Sequence, residues 1–500
     1  RLSHQVSAYP SSEVAPTRQE TDTMLTKTLC RSHASKAAVL ALGGVLIAGL
    51  AVATTSAATA TSSTAQAVAT AQAETRALTS SCAWPIVTNV AYPDTDATYW
   101  TTPYRVEPGT RFIVKGTFPS ARFMSFNTYD STGGAFTTNN VPGAIFDYQI
   151  SPNPGSTNPY QHTTRRSGKF RGDVISSTRS NGFKVRVQSD VPGSQPNTIP
   201  SAPTGTAAGS IGFLLMRVYL PKGANFNAIK LPSISIITAS GTRTITPCSP
   251  KKQKSPNAAI PGLDADVQAA VRNIAARIEE EGNPATGPVP TQRAGSAPSI
   301  KFARATAATT NSVFPNSASA YVSALFTPNP NRVVLVRAKA PRTPALKPPG
   351  TQPLPWPTKK YQLRYFSLCN NIYRKPWPVV INKTKGGGTD LGCRADNATK
   401  LDSLGRYTYV VAPQSKKNQV TRWANTTFVP TSIKSKTDQE VLIFRNMLSN
   451  SAFKKSAANA PQNDQPSGAA AAMGEYYPRA VSCPIKYYLA NGPSACFKKY

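Results

Sequence analysis

Five hundred residues with 40% apolar side chains, 44 prolines and 31 glycines suit two domains with real cores and ordered loops, and exclude a wholly disordered chain. The formal net charge of +33 attracts anionic partners, and three histidines leave little room for histidine-based catalysis or multi-histidine metal sites.

Residues 1–23 read as translated upstream sequence ahead of Met24. A signal peptide is expected over 24–60: Lys27, Arg31 and Lys36 form a basic start, and 37–53 is an apolar run. Small-residue cleavage sites follow at Ala51-Val52-Ala53 and Ala58-Thr59-Ala60. The alternative is an uncleaved anchor, for which the apolar run is short. Residues 61–81, rich in Ala, Thr and Ser, read as a flexible tether. The expected location is secreted or cell-surface. Apart from Cys30, which lies ahead of the apolar run, six cysteines remain for an oxidising compartment. Their positions favour Cys82–Cys248 around the first repeat, Cys369–Cys393 within the second, and Cys483–Cys496 closing a short hairpin.

Residues 82–248 form the first repeat, with strands expected at 111–116, 122–129, 183–188, 212–220 and 233–238. These runs are rich in β-branched and aromatic residues and are bounded by Pro, Gly and Asn. Residues 249–310 are a linker containing a helix over 263–281, with Val267, Val271, Ile274 and Ile278 on one face. That stripe is expected to pack on a domain. The second repeat, 311–500, carries a proline-rich insertion over 341–360 and reads as loop-like from Lys454 onward.

The two repeats are visible in the sequence itself. The run from Tyr92 to Pro119 recurs 222 positions later, from Phe314 to Pro341, with Pro93, Tyr99, Pro108 and Val114 falling on Pro315, Tyr321, Pro330 and Val336. ARFMSFNTYD from Ala121 answers LRYFSLCNNI from Leu363, and FLLMRVYLP from Phe213 answers VLIFRNMLS from Val441. A duplicated ancestral unit is the simplest account. With strands spaced this way and no βα alternation, the expected fold is all-β: two tandem related antiparallel β-sandwich, jelly-roll-like domains with a linker helix.

The run GFLLMRVYLPKG followed by Leu231-Pro232 resembles the strand-and-LP signature of bacterial proteins with paired domains of unknown function, the twelve-fifty-four and twelve-fourteen families. ARFMSFNTYD and DYQISPNPGSTNPY are similar to secreted actinobacterial relatives of that group. The resemblance implies β-sandwich or jelly-roll domains and brings no catalytic residues.

The chemistry on offer favours binding over catalysis. Among the histidines only His162 lies beyond the leader, in a polar stretch that reads as a loop. Asp94 and Asp96 are expected to cap a turn. A calcium role would not be shared, because the second repeat has Asn316 and Ala318 there. No cofactor or metal is expected. Asp130 and Asp147 are the one candidate acid–base pair for glycoside hydrolysis, the alternative function. Arg122 matches Arg364 and Arg217 matches Arg445, all inside strand-like runs. Each needs a carboxylate, a carbonyl or a ligand anion to offset its burial, so buried ion pairs and a repeated anion pocket are both open. Residues 82–248 carry 15 basic and 7 acidic groups, whereas 311–500 carry 27 and 7. Aromatic–basic clusters mark the second repeat: Trp356 with Lys359, Lys360 and Tyr361, then Tyr373, Arg374, Lys375 and Trp377. Flanking prolines favour exposed loops in which rings stack and cations hold anions; rings plugging the sandwich ends are the competing reading. The expected partner is an anionic cell-envelope polymer or membrane surface; the leader disfavours nucleic acid.

Overall fold

A computed structural model describes residues 80–500 except 88–91, 162–181, 189–195, 281–299, 306–313, 345–352, 434–437 and a few single or paired loop positions. The expected leader, nearly all of the tether, His162 and Lys375 lie outside the described residues. No helix among the described residues is long and apolar enough to cross a membrane.

The first half contains strands β1 (Ala97–Arg105), β2 (Arg111–Thr117), β3 (Ala121–Tyr129), β4 (Ala144–Phe146), β5 (Gly182–Gln188), β6 (Thr198–Pro200), β7 (Ile211–Pro221) and β8 (Ser233–Thr238). The second contains β9 (Ser319–Phe326), β10 (Arg332–Lys339), β11 (Leu363–Ile372), β12 (Cys393–Ala395), β13 (Arg406–Pro413), β14 (Thr426–Thr431), β15 (Glu440–Ser449) and β16 (Arg479–Pro484). In the first half, β1-β7-β3-β4 faces β8-β2-β5-β6; in the second, β9-β15-β11-β12 faces β16-β10-β13-β14. Ile86–Val87 and Gly241–Ile245 extend the two sheets of the first half at their edges. Pairing is antiparallel except for β5 with β6 and β13 with β14, which are parallel. Register matches as well as order. Arg217 stands between Tyr99 and Ser125, and Arg445 between Tyr321 and Ser367.

Alternation builds each core. Val114, Phe126, Val185 and Leu214 point into the first sandwich; Val336, Phe366, Tyr409 and Leu442 point into the second. The Leu231-Pro232 segment ahead of β8 closes on Gly116, where an added Cβ would stand 2.8 Å from Pro232. Trp84 donates its indole N–H to the Pro232 carbonyl at 2.7 Å. Helix α1 (Ala265–Glu280) lays Val271 and Ile274 against Ile86, Phe213 and Leu215 on the outer face of β7. Arg105 holds its N-terminal end through Asp264 and Asp266 at 3.1 and 2.7 Å.

The region after Lys454 is not loop-like. It supplies helix α2 (Pro466–Met473), strand β16 and helix α3 (Ile485–Lys499). The hairpin expected between Cys483 and Cys496 is instead helix α3, kinked at Gly492, whose φ is 77°. Ile485, Tyr488 and Cys496 then pack on Val333, Leu335 and Val410 of the sheet's outer face. All three expected disulfides are present, with Cα separations of 5.0, 4.0 and 5.9 Å.

Cys82–Cys248 closes the longest loop, spanning 166 residues. In the chain-entropy model its loss costs about 5 kcal/mol. A Cys82→Ser/Cys248→Ser variant is therefore expected to shift the denaturant midpoint strongly, as measured by equilibrium unfolding.

Candidate functional site

The four matched arginines are buried where the two halves meet, and three of them are ion-paired across that boundary. Arg122 of β3 reaches Asp396, just after β12, at 2.9 Å. Arg364 of β11 reaches Asp147, just after β4, through both nitrogens at 2.8 and 3.0 Å. Each also donates to the other's backbone: Arg122 to the Arg364 carbonyl at 3.2 Å, and Arg364 Nε to the Arg122 carbonyl at 2.9 Å. Arg445 pairs with Asp94, whose carboxylate also accepts from Tyr365 and Ser367 at 2.7 and 2.9 Å.

Arg217 has no carboxylate partner among the described residues. It donates to Asn127 Oδ1 and the Phe314 carbonyl, both at 2.7 Å, and lies over the rings of Tyr99 and Tyr129. The same exchange recurs at Arg445, which lies over Tyr321 and donates to the Tyr92 carbonyl at 3.5 Å. Tyr92 and Phe314 hold matching left-handed conformations, with φ of 52° and 55°. Arg122, Arg217, Arg364 and Arg445 are thus buried internal cations, and the anion-pocket expectation is corrected: protein carboxylates and carbonyls fill the place a ligand would take.

The aromatic loops are corrected in the same sense. Trp356 and Trp377 are only 4% and 5% exposed. The Trp356 backbone N–H donates to the Tyr160 carbonyl at 2.9 Å, and the Trp377 ring stands 5.8 Å from that of Tyr92. Both proline-rich loops of the second half dock on the first, so their rings are closed to sugars or bases. Tyr373 is half-buried in the Trp377 cluster. Lys359 and Lys360 are exposed, with Lys360 over the Tyr361 ring. Arg374 is exposed and pairs with Asp438 at 3.1 Å.

The hydrolytic carboxylate pair is also corrected. Asp130 caps its own turn, accepting from Thr132 and Gly134. Asp147 is fully buried and also accepts the Met124 and Tyr148 backbone N–H groups, so it cannot reach a glycosidic bond. Asp94 and both sulfurs of Cys369 and Cys393 lie within 4.8 Å of one another, but these cysteines form a disulfide and offer no thiolates to a metal. Burial pushes the Asp147 carboxyl up to about 6 against the pull of Arg364. Burial, with the neighbouring Asp94 and Asp396 carboxylates, pushes Asp96 to about 7. Burial likewise pushes Glu440 to about 7, against hydrogen bonds from Ser432 and Asn370.

What remains accessible is the cationic outer surface of the second half. Alternation in β10 turns Arg337 and Lys339 outward beside Val333 and Leu335, where Arg406 of β13 and Arg479 of β16 join them. Their signal lies in the run RVVLVRAK, in which two cations share the parity of two apolar residues. Asp396 also escapes a sequence reading, because its block matches GAIFD only at the glycine and aspartate: Gly392-Cys-Arg-Ala-Asp396.

No family model and no curated protein matches the chain. Among solved structures it is similar to an uncharacterised protein from Burkholderia cenocepacia, at 12% identity and a TM-score of 0.42, covering 80% of this chain and 79% of that one. It is also similar to the VPA0106 protein from Vibrio parahaemolyticus, at 10% identity and a TM-score of 0.35, covering 79% and 91%.

Arg122→Leu leaves Asp396 without its cation in the interior and is expected to cost about 3–5 kcal/mol. The double variant Arg122→Leu/Asp396→Leu should recover most of that loss in denaturant unfolding. The raised carboxyls make a second expectation. A raised native pKa means that the folded state holds protons the unfolded state has released. That contribution is complete below the unfolded values of 3.8 and 4.5 and is lost as pH rises through about 6–7. Melting temperature should fall between pH 5 and pH 8, and Glu440→Gln should flatten part of the fall.

Proposed function

We propose that this protein is exported and captures anionic polymer of the cell envelope by electrostatics, through its second half and without catalysis. The supporting observation is where the carboxylates of that half go. Asp396 is engaged by Arg122, Asp390 by Lys417, Asp402 by Arg337, Asp438 by Arg374 and Glu475 by Lys339, while Glu440 is buried and Asp464 half-buried. Exposed cations, including Arg342, Lys359, Lys360, Lys383, Lys400, Lys454, Lys486 and Lys498, therefore set the sign of the surface field. Three disulfides fit an oxidising compartment, and the leader over 24–60 provides the route to it. The two halves are read as copies of one ancestral sandwich, in keeping with the likeness to the paired-domain families.

The full chain is expected to be retained by immobilised anionic envelope polymer at low salt and released as salt rises through physiological strength, because the contacts join exposed charges. Binding that ignores salt, or equal retention by an uncharged glycan, contradicts the reading. Sedimentation of the protein with cell-wall fractions across a salt series provides the measurement.

A further inference from the structure

The outer face of the β16-β10-β13 sheet carries four cations in two like-charge pairs. Arg479 is directly opposite Arg337, and Arg406 is directly opposite Lys339. Residues so placed stand roughly 4.5–5.5 Å apart at Cβ, where like charges repel and weaken the sheet. Two carboxylates adjoin them among the described residues. Asp402 lies 3.3 Å from Arg337, and its other oxygen caps the turn leading into β13; Glu475 lies 3.2 Å from Lys339. Helix α3 forms a wall along the face: Arg337 donates to Ser494 at 3.1 Å and lies over the Phe497 ring. A sheet selected only for stability would alternate these charges with carboxylates. Here Asp402 and Glu475 offset one cation of each pair, whereas Arg406 and Arg479 have no carboxylate within ion-pair distance among the described residues, and an anion lying along the face would offset them.

Resting on the envelope-binding reading, we propose that this strip is the docking surface, and that its ligand is a polyol-phosphate polymer, a linear chain without bases whose backbone is joined by phosphodiester groups. Three of the four cations are arginines, whose planar forks suit phosphate oxygens. They sit on a rigid lattice with roughly 6.8 Å between alternate residues of a strand. Such a lattice matches charges fixed in a polymer backbone better than carboxylates on flexible arms. A bilayer is a poorer fit, since Arg337 is recessed beside α3. One large exposed apolar side chain, Leu404 at 65%, precedes Arg406. A nucleic acid is also a poorer fit, because the Tyr500 ring already carries Arg332 and the Tyr487 ring Lys499.

The test uses the full chain and four probes: a glycerol-phosphate polymer, polyglutamate, phosphatidylglycerol vesicles and a single-stranded oligonucleotide. The glycerol-phosphate polymer is expected to bind most tightly and to raise the melting temperature. Arg406→Ser/Arg479→Thr should weaken that binding at least tenfold, abolish the thermal shift, and leave the unliganded melting temperature equal or higher because repulsion is removed. Lys359→Ser/Lys360→Ser, on the rival loop, should weaken it less than threefold. If the polymer binds the wild type and the β-strand variant equally, or if the loop variant loses more, the strip is wrong while the envelope reading stands. Failure of the wild type to bind any anionic polymer or vesicle overturns the envelope reading itself. Preference for vesicles, polyglutamate or the oligonucleotide overturns the ligand class.

Discussion

Arg122 and Arg364 occupy matching positions on β3 and β11, and each is neutralised by an aspartate of the other half. Residues 242 and 274 positions apart in the chain thereby share one buried network, closed by the reciprocal donation of each guanidinium to the other's backbone. A guanidinium in a protein interior is tolerable only when a counter-charge or well-placed acceptors meet it. Neither sandwich can supply its own: the partner of Arg122 follows β12, and the partner of Arg364 follows β4. This constraint ties the two halves into one folding unit. The exchange has the form of a twofold interface, in which residue i meets j and j meets i, here written into one chain.

Other features follow from that junction. Arg445 and Arg217 carry the exchange outward to the Tyr92 and Phe314 carbonyls, at which the chain turns into the first strand of each half. The proline-rich loops of the second half bring Trp356 and Trp377 to the same boundary, so stiff segments serve docking instead of capture. With Asp94, Asp147 and Asp396 engaged by arginines at the junction, the excess cations of the second half are left at its surface. The sheet facing away from the junction is where Arg337 and Arg479 stand side by side.

Strand positions were legible because the runs are rich in β-branched and aromatic residues and are bounded by Pro, Gly and Asn. The expected runs 122–129 and 212–220 sit inside Ala121–Tyr129 and Ile211–Pro221, and the helix expected over 263–281 is Ala265–Glu280. The matched arginines were legible as buried cations at corresponding positions, but their partners were not, because they come from the opposite half. Asp94 and Asp147 invite readings as calcium or catalytic groups until the chain is folded, and Asp396 draws no notice at all. Exposure of Trp356 and Trp377 was misjudged for the same reason. Flanking prolines indicate a loop, yet the surface that covers the loop belongs to residues of the other half, remote in the chain. The cationic strip is set by cross-strand register, which no local pattern encodes.

The central claim is that the exchanged arginine–aspartate pairs make the two sandwiches one cooperative unit. Native-state hydrogen exchange at the amides of β3 and β11 tests it most directly. The account predicts that both strands exchange through the same global opening, with equal free energies and equal denaturant dependence, and that Arg122→Leu lowers protection in both alike. Protection of β11 that survives while β3 opens, or a loss confined to the mutated half, would contradict it.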